Sequence, residues 1–262
     1  MAANLFREER LRLIMELIYE KKKVIVKDLA EKFEKSDSSI RLDLAELESR
    51  GLIERTHGGA ILASSANNDY VLTKNFIRLR EETNRDEKEK IGRATVDLIN
   101  DGDSIVMDGG STTYFVALNL HRKRGLTIIT TSCHVLPILL EISDAKVYLT
   151  GGLVHRDYED LMGDISIDAL KRFKANFAIM GIDGISYQHG LTSTDPTTAQ
   201  IKRQMMAVST KTIFVADSTK FGKVGFLHVA DFDDVYAVVT DDNLQSDLLD
   251  SLKTTQTTFI TA

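Results

Sequence analysis

In the last two thirds of the chain, small and polar residues come directly after short apolar runs. The residues are Asp108, Gly109, Gly110, Ser111, Thr112 and Thr113 after 105–107, Thr131 and Ser132 after 127–129, Gly152 after 146–149, Asp183 after 177–180, and Lys220 after 212–216. Glycines let backbone N–H groups approach an oxyanion, hydroxyls add donors, and a helix N-terminus favours negative charge. Lys220 supplies a positive charge for a phosphate, and Asp108 and Asp183 could accept hydrogen bonds from sugar hydroxyls. The set suits a phosphorylated polyhydroxy compound.

The same residue types also build ordinary turns between strands and helices, and any one of these loops can be explained in that way. Five such loops in one domain, one with a lysine and three with aspartates, favour a binding site over turns alone. His155 and His189 lack metal-ligand spacing, and no Ser/His/Asp order is visible. We therefore predict no metal, no cofactor and no covalent catalysis, and expect a small-molecule ligand instead.

A second group of polar residues lies near the N-terminus. Ser36, Ser38, Ser39 and Arg41 occupy the first turns of a predicted helix, and Arg55, His57 and Gly58 follow in a predicted turn. A helix placed in the DNA major groove presents its N-terminal residues to phosphates and base edges, and arginine can bind guanine with two hydrogen bonds. The pattern indicates DNA binding. A solvated helix face or a protein-contact surface remains the alternative.

Around this second group of residues, the sequence predicts three helices and a β-hairpin. A helix is predicted over 5–22, a short extended piece over 24–26, and a second helix through Leu29 and Phe33. Ser36 suits the N-cap of the third helix, and Gly51 suits the position after its end. Strands at 52–55 and 61–62 flank a turn at 56–60. This order predicts a winged helix-turn-helix over residues 1–62, followed by a small, polar linker over 63–75.

From residue 76 onward, helical and β-branched segments alternate. A charged helix is expected over 77–100, interrupted near 83–86. The predicted strands are 104–107, 127–129, 146–149, 177–180, 212–216 and 235–239, and the predicted helices are 135–142, 165–173, 197–209 and 244–252. Such alternation implies a mostly parallel α/β sheet with right-handed crossovers over residues 76–262. Because ligands bind at the carboxyl ends of parallel strands, the polar loops should converge on one crevice.

Composition excludes several classes of protein. The chain has 262 residues with 43% hydrophobic and 27% charged residues, which is typical of a globular protein. The longest apolar run, 135–140, contains Pro137 and is too short to span a membrane, and no signal peptide is recognisable. A single cysteine, Cys133, allows no internal disulfide and fits a reducing cytoplasm. The net charge of −6 lies entirely after residue 62, which leaves a neutral module free to read DNA.

The chain resembles the DeoR family of bacterial transcriptional regulators over essentially its full length. The matching stretches are Ser-Ser-Ile-Arg-Leu-Asp-Leu (38–44), Leu-Glu-Ser-Arg-Gly-Leu-Ile-Glu-Arg-Thr-His-Gly-Gly-Ala (47–60), Asp-Gly-Asp-Ser-Ile (101–105), Asp-Gly-Gly-Ser-Thr-Thr (108–113) and Ala-Asp-Ser-Thr-Lys-Phe-Gly (216–222). The resemblance implies a winged-helix DNA reader joined to a sensor with a sugar-phosphate-isomerase-like fold. It also implies a repressor of a sugar-catabolic operon that a phosphorylated sugar or sugar-derived intermediate releases from DNA.

The chain departs from the family pattern at a few positions. Leu42 replaces the second arginine of the recognition helix, and Lys35 replaces the usual valine before Ser36. In the sensor, Thr131 stands where an asparagine is frequent, and Thr197, Thr198 and Gln200 stand in a region where glutamates are frequent. The departures bear on operator choice and on the identity of the effector.

The residues are compatible with three functions. The leading interpretation is a cytoplasmic bacterial repressor that binds double-stranded operator DNA and a sugar-phosphate effector as a homodimer or homotetramer, since dimers read symmetric operators. An isomerase-type enzyme using Asp108 or Asp183 as a base is the alternative, but such an enzyme has no need of a winged helix. The third interpretation is a scaffold that uses the helical module for protein contacts. Such a protein would show no salt-sensitive DNA binding.

Overall fold

The computed structural model describes residues 7–62, 77–156, 158–244 and 255–262. The chain forms two compact units, Met1–Asn84 and Arg85–Ala262. The predicted linker at 63–75 lies outside the described residues, and the predicted boundaries at 62 and 76 stay a prediction. Helix α4 (residues 77–82) follows the linker, and its Leu79 is buried in the core of the N-terminal unit.

The N-terminal unit has the predicted winged helix-turn-helix architecture. Its elements are α1 (Arg7–Lys21), β1 (Lys23–Ile25), α2 (Val26–Phe33), α3 (Asp37–Ser49), β2 (Ile53–Thr56) and β3 (Gly59–Leu62). The strands form an antiparallel sheet in the order β1-β3-β2. The core joins Leu11, Ile14 and Ile18 of α1 to Ile40, Leu44 and Leu47 of α3. These are the residues whose helical spacing predicted the two amphipathic helices.

Two local features of this unit differ from the sequence prediction. Val26 begins α2 rather than ending the extended segment. The hairpin turn is also tighter than expected, because Thr56 pairs with Gly59 and only His57 and Gly58 remain in the turn. Gly58 has φ +86°, a left-handed conformation that glycine adopts without strain. On its other side β3 pairs with β1, from Lys23 opposite Ile61 to Ile25 opposite Gly59, which completes the three-stranded sheet.

The C-terminal unit is built on a parallel sheet, as predicted. Its elements from Arg85 onward are α5 (Arg85–Asp97), β4 (Ser104–Met107), α6 (Ser111–Asn119), β5 (Thr127–Thr130), α7 (Leu136–Leu140), β6 (Lys146–Leu149), β7 (Leu153–His155), β8 (Asp160–Met162), α8 (Asp164–Leu170), β9 (Ala175–Gly181), β10 (Gly184–Ser186), β11 (Gly190–Ser193), α9 (Pro196–Ala207), β12 (Ser209–Val215), β13 (Leu227–Ala230), β14 (Ala237–Thr240) and β15 (Thr258–Thr261). The main sheet has the order β15-β14-β12-β9-β4-β5-β6. All its neighbouring strands run parallel.

The chain reverses its direction of progress across the sheet between β4 and β9. From β4 it moves outward through β5 to β6, and from β9 it moves outward on the other side through β12, β14 and β15. Such a reversal is the topological switch point at which open α/β sheets bind ligands. Buried hydrophobic clusters cover both faces of the sheet, one including Val106 and Phe214 and the other Ile105 and Ile213. Alternate residues of β4 and β12 therefore face opposite cores.

Several strands were missing from the sequence prediction. Hairpin β7–β8 and the antiparallel sheet β10-β11-β13 were not predicted, because none of their strands contains three consecutive apolar or β-branched residues. The last predicted strand begins at Ala237 rather than at 235. The predicted helix over 244–252 lies almost entirely outside the described residues. Within the described part of the chain, no helix is long and apolar enough to cross a membrane.

Candidate functional site

Asp108 ties together the two strands at the switch point. It follows β4 directly and is buried. Its carboxylate accepts hydrogen bonds from the backbone N–H of Gly181 at the end of β9 (3.1 Å) and from Thr113 Oγ1 (2.9 Å). The backbone N–H of Gly110 donates to it as well, at 3.3 Å. Asp108 thus fixes the loop between β4 and α6 against the neighbouring strand.

Lys202 is the cationic partner of Asp108. It lies on α9, is buried, and forms an ion pair and hydrogen bond through Nζ with Asp108 Oδ2. The sequence analysis did not single out Lys202, because a lysine within an amphipathic helix is normally solvent-exposed. With this ion pair and three hydrogen bonds, the carboxylate of Asp108 positions the loop, and its expected contact with sugar hydroxyls stays a prediction.

The loop from Asp108 to Thr113 leads into the N-terminus of α6. Gly110 is the N-cap residue and has no side chain to occupy the first N–H groups. The first N–H groups of a helix have no intrahelical acceptor, so they are available to an anion. Thr112 and Thr113 are buried, whereas Ser111 is partly exposed. Gly109 is required by space, since a Cβ there would lie 2.1 Å from Ser132 Oγ.

The end of β5 and the hairpin β7–β8 form the next wall. Thr131 and Ser132 are buried, and the backbone of Thr131 accepts a hydrogen bond from Leu161 N at 2.7 Å. Ser132 also forms an isolated β-bridge with Asp160. Gly152, with φ +128°, lies against Ser166, where a Cβ would come within 2.2 Å of the serine hydroxyl. Packing against Ser166 alone therefore requires glycine at position 152, and its contact with a ligand stays a prediction.

Asp183 lies after β9 and caps the hairpin β10–β11. It accepts hydrogen bonds from Ser193 Oγ (2.9 Å), Thr194 N (2.9 Å) and Thr194 Oγ1 (3.2 Å). These contacts fix the turn that leads from the parallel sheet into the small antiparallel sheet. Its expected contact with a ligand hydroxyl stays a prediction.

Lys220 lies in the loop after β12, as expected. Asp217 caps the short helical turn Ser218–Lys220 by accepting from Thr219 N, and Asp241, after β14, accepts from Ser218 N at 2.7 Å. Gly222 N donates to Ile185 O, which joins the loop to β10. β12 and β4 both border β9 and run parallel to it, so the loops of Lys220 and Gly110 leave the same edge of the sheet.

A buried carboxylate that the sequence analysis missed lies beside the β4–α6 loop. Asp160 begins β8, and its Oδ1 is buried with no hydrogen-bond partner among the described residues. Burial, and secondarily the negative charge of Asp108, raises the pKa of Asp160 to about 7, against an ordinary value of 3.8. A hydrogen bond from Ser132 and the positive charges of Lys202 and His134 act in the opposite direction. Asp160 is therefore divided between its neutral and charged forms near neutral pH.

The burial of Asp160 could not be predicted, because no local sequence pattern indicates it. It stands in a polar stretch with Asp157 and Glu159 that is typical of a surface turn. Its burial results from the pairing of β7 with β8 and from the bridge between Ser132 and Asp160. The same is true of Lys202, whose burial depends on the packing of α9 on the sheet. No cluster of three or more His, Cys, Asp or Glu residues suited to a metal ion occurs among the residues described.

In the N-terminal unit, the predicted DNA-binding residues lie on α3 and on the wing. Ser36 is the N-cap of α3, accepting from Ser39 N, and its hydroxyl also hydrogen bonds to the hydroxyls of Ser38 (2.8 Å) and Ser39 (3.2 Å). Arg41 is exposed one turn further along. The serine cluster fixes the start of the helix and leaves the Arg41 side chain on its solvent-facing surface.

Arg55, His57 and Gly58 are exposed on the wing. The backbone N–H of Arg55 donates to Glu48 Oε1 at the end of α3, at 3.1 Å, which links β2 to that helix. Leu42, at one of the positions that depart from the family pattern, has 65% of its surface exposed. An exposed leucine on α3 adds an apolar contact to a surface that is otherwise polar.

A buried ion pair holds α3 in place. Asp43 is 1% exposed and pairs with Arg10 of α1, whose Nη2 donates to Asp43 Oδ1 at 3.1 Å. Arg7 Nε lies 3.3 Å from the same oxygen, although the Arg7 side chain is half exposed. Asp43 and Arg10 are 33 residues apart, so sequence spacing gave no indication of the contact.

Comparison with known families assigns both units. The profile of the DeoR-like helix-turn-helix domain matches residues 10–66, and that of the DeoR C terminal sensor domain matches residues 83–242. The two matches lie in the order that the sequence motifs predicted.

The relatives are named as regulators. The chain is 32% identical over 228 residues to the glycerol-3-phosphate regulon repressor of Escherichia coli, covering 87% of this chain and 88% of the relative. It is 29% identical to the HTH-type transcriptional repressor GlcR of Bacillus subtilis, covering 90% and 89%. It is 30% identical to the L-fucose operon activator of Haemophilus influenzae, covering 90% and 92%.

About half of the chain is also similar to the solved ribose 5-phosphate isomerase A of Methanocaldococcus jannaschii. The match covers 53% of this chain and 55% of that one, at 16% identity and a TM-score of 0.39. A likeness this low carries no conclusion about function, whereas the regulators align over nearly the whole chain. The expectation of a DNA-binding regulator rather than an enzyme is confirmed by these relatives: the chain belongs to the DeoR family of transcriptional regulators.

Proposed function

We propose that this regulator represses a sugar-catabolic operon and leaves its operator when a phosphorylated sugar or sugar-derived intermediate binds the C-terminal unit. The observation that carries the proposal is the uncapped N-terminus of α6 at the switch point, at the sheet edge that the Lys220 loop also leaves. The relative named a glycerol-3-phosphate regulon repressor supports a phosphorylated effector.

Each candidate residue has a distinct role in this proposal. The backbone N–H groups of Gly109 and Ser111 hold the phosphate, with Lys220 as its counter-charge, while Gly110 leaves the start of α6 without a side chain. Asp108 and Thr113 keep the loop in shape. Further contacts to the effector come from Thr112 of α6 and from the neighbouring loops, namely from Thr131, Ser132, Gly152 and Asp183.

DNA binding is assigned to α3 and the wing. Arg41 reads a base edge in the major groove, while Ser36, Ser38 and Ser39 face the sugar–phosphate backbone. Arg55, His57 and Gly58 bind the backbone from the wing. We expect a homodimer or homotetramer, because two copies of α3 are needed to read a symmetric site.

The assembly surface is assigned to the β6 edge of the main sheet and the hairpin that follows. β6 is an edge strand, and its Tyr148 and Leu149 are 47% and 40% exposed. Leu153 and Val154 of β7 are 75% and 51% exposed. A second copy of the chain covers this apolar set, which a monomer would leave in water.

The mechanism is a coupling between two equilibria. An effector that binds more tightly to the conformation that cannot bind DNA weakens operator binding. The loss is limited to the difference between the effector's binding free energies for the two conformations. The bacterial cytoplasm, where both DNA and phosphorylated sugars occur, is the expected location.

The test uses the full-length protein and DNA from upstream of its neighbouring genes. We expect salt-sensitive binding to one such fragment, and its release by at least one member of a panel of pentose, hexose and triose phosphates. A reporter fused to that fragment distinguishes repression from activation, since deleting the regulator gene should raise expression. Absence of DNA binding, or conversion of a sugar phosphate into product, would contradict the proposal.

A further inference from the structure

A narrow cavity lies beside the β4–α6 loop. It is lined by Asp108, Thr131, Asp160, Leu161, Met162, Thr198, Ile201 and Lys202. The cavity has room for about one water-sized group, which is too little for a sugar ring or a phosphate. Its occupant is therefore a single small group, either a water molecule or one substituent of a larger ligand.

Two polar atoms of the lining residues are left without partners. Asp160 Oδ1 and Thr198 Oγ1 are both buried, and neither has a hydrogen-bond partner among the described residues. Buried polar atoms in native proteins are nearly always hydrogen-bonded, and an unsatisfied one destabilises the fold. Two such atoms in the lining of one small cavity indicate a group that both donates and accepts hydrogen bonds.

The charges around the cavity define the chemistry of that group. Asp108 and Asp160 both line it, so an anion is disfavoured. The ammonium of Lys202, paired with Asp108, already supplies the positive charge, so a second cation is not required. A neutral hydroxyl fits, because it can accept from Thr198 and donate to an ionised Asp160, or accept from a protonated one.

Gly109 connects this cavity to the phosphate-binding loop. A Cβ at Gly109 would lie 2.4 Å from Asp160 Oδ1, so the backbone of the loop is in contact with the unpartnered oxygen. A ligand whose phosphate is held at the N-terminus of α6 would therefore extend past Gly109 toward Asp160.

We propose that Asp160 and Thr198 are specificity-determining residues of the effector site, and that they hold one hydroxyl of the phosphorylated effector in this cavity. The inference rests on the proposed function and adds to it a defined recognition element for the non-phosphate end of the ligand. Neither residue contacts the phosphate.

The electrostatics of the cavity agree with a hydroxyl ligand near neutral pH. The groups that act on Asp160 are Asp108, Lys202 and His134, and His134 in turn lies 3.4 Å from Glu159. Burial next to Asp108 raises the pKa of Asp160 to about 7, so both its donor and acceptor forms are present. A hydroxyl can hydrogen bond to either form, whereas an anion or a metal ion cannot.

The test compares Thr198→Val and Asp160→Ala with Gln204→Ala, a control on the same helix whose residue does not line the cavity. Titration calorimetry on the full-length protein uses the panel of sugar phosphates, their monodeoxy analogues and inorganic phosphate. Removing one buried hydrogen bond should weaken binding of the best sugar phosphate about tenfold. One deoxy analogue should bind the wild type about tenfold more weakly, yet bind Thr198→Val with no further loss. Affinity for inorganic phosphate should not change.

The outcomes separate the inference from the proposed function. If the wild type binds no member of the panel, the proposed function fails and the inference fails with it. If the wild type binds a sugar phosphate but both cavity variants bind it normally, only the inference is wrong and the cavity holds structural water. An equal loss of affinity for phosphate and sugar phosphate would also overturn it. Thermal unfolding of each variant shows whether it is folded. If Asp160→Ala does not fold, Thr198→Val alone carries the test, because it keeps the side-chain volume.

Discussion

At the scale of single residues, the sensor unit depends on buried charges that face one another across different elements. Asp108 and Lys202 are paired, while Asp160 lies beside them with an unsatisfied oxygen. The motif Asp-Gly-Gly-Ser-Thr-Thr was visible in the sequence, and so was its position at a strand end. Lys202 and Asp160 were not, because only the packing of α9 and the β7–β8 hairpin removes them from water.

Asp160 should make the stability of the C-terminal unit depend on pH. Its pKa is raised from 3.8 to about 7 in the fold, so the folded state disfavours ionisation and stability is lost as pH rises through that window. The shift corresponds to roughly 4 kcal/mol at most. Asp160→Asn should therefore lose less stability than the wild type between pH 4 and 7 in urea unfolding. Parallel pH profiles for the two proteins would mean that folding does not raise the pKa of Asp160, and would contradict this prediction.

At the scale of elements, α3 is positioned by contacts from two directions. Its N-terminus is capped by Ser36, as the sequence predicted, and Gly51 has φ +71° just beyond its end. Its middle is held by the ion pair of Asp43 with Arg10, which no local pattern indicated. Local signals thus defined where the helix begins and ends, whereas its attachment to α1 required the folded structure.

The surface of α3 should separate base reading from backbone binding. Arg41→Ala should weaken binding to the cognate operator by about 1–3 kcal/mol and reduce discrimination between operators. Arg55→Ala should weaken all DNA sequences more evenly, since it is assigned to the backbone. Fluorescence anisotropy with cognate and scrambled duplexes measures both. Unchanged cognate affinity in both variants would remove α3 and the wing from the interface.

The ion pair below α3 should matter for folding of the N-terminal unit. Asp43→Ala leaves Arg10 buried without its carboxylate and should lower the free energy of unfolding of this unit by about 3–5 kcal/mol. Arg7→Ala is the matched control, because that side chain is half exposed and its pair should contribute about 0–1 kcal/mol. Denaturant unfolding followed by circular dichroism measures the difference. Similar effects of the two substitutions would argue against a buried anchor.

At the scale of the whole molecule, the sequence predicted the kind of architecture better than its details. Helix-length segments between most of the predicted strands indicated a parallel sheet, and β-branched runs marked most of its strands. The antiparallel sheet β10-β11-β13 was missed, because none of its strands contains three consecutive apolar or β-branched residues. The site therefore has walls that the sequence did not reveal.

Assembly through the β6 edge should be separable from folding. Leu153→Glu places a charge in the proposed apolar interface and should shift the protein toward monomers, with weaker operator binding. Phe226→Glu is the control, because Phe226 is 86% exposed on a loop preceding β13, away from β6 in the sequence. Sedimentation velocity measures the mass of each variant. A monomeric wild type, or an oligomer insensitive to Leu153→Glu, would contradict the assigned surface.

The most direct test of the account is the operator affinity of the wild type and of Lys220→Ala, measured by anisotropy with and without the sugar phosphate that releases the wild type. Lys220 is assigned to the phosphate, where a charge-assisted hydrogen bond contributes about 1.5–3 kcal/mol. We expect equal affinities without effector, release of the wild type, and retention of Lys220→Ala at the same effector concentration. Release of both proteins at equal effector concentrations would place the phosphate elsewhere and contradict the account.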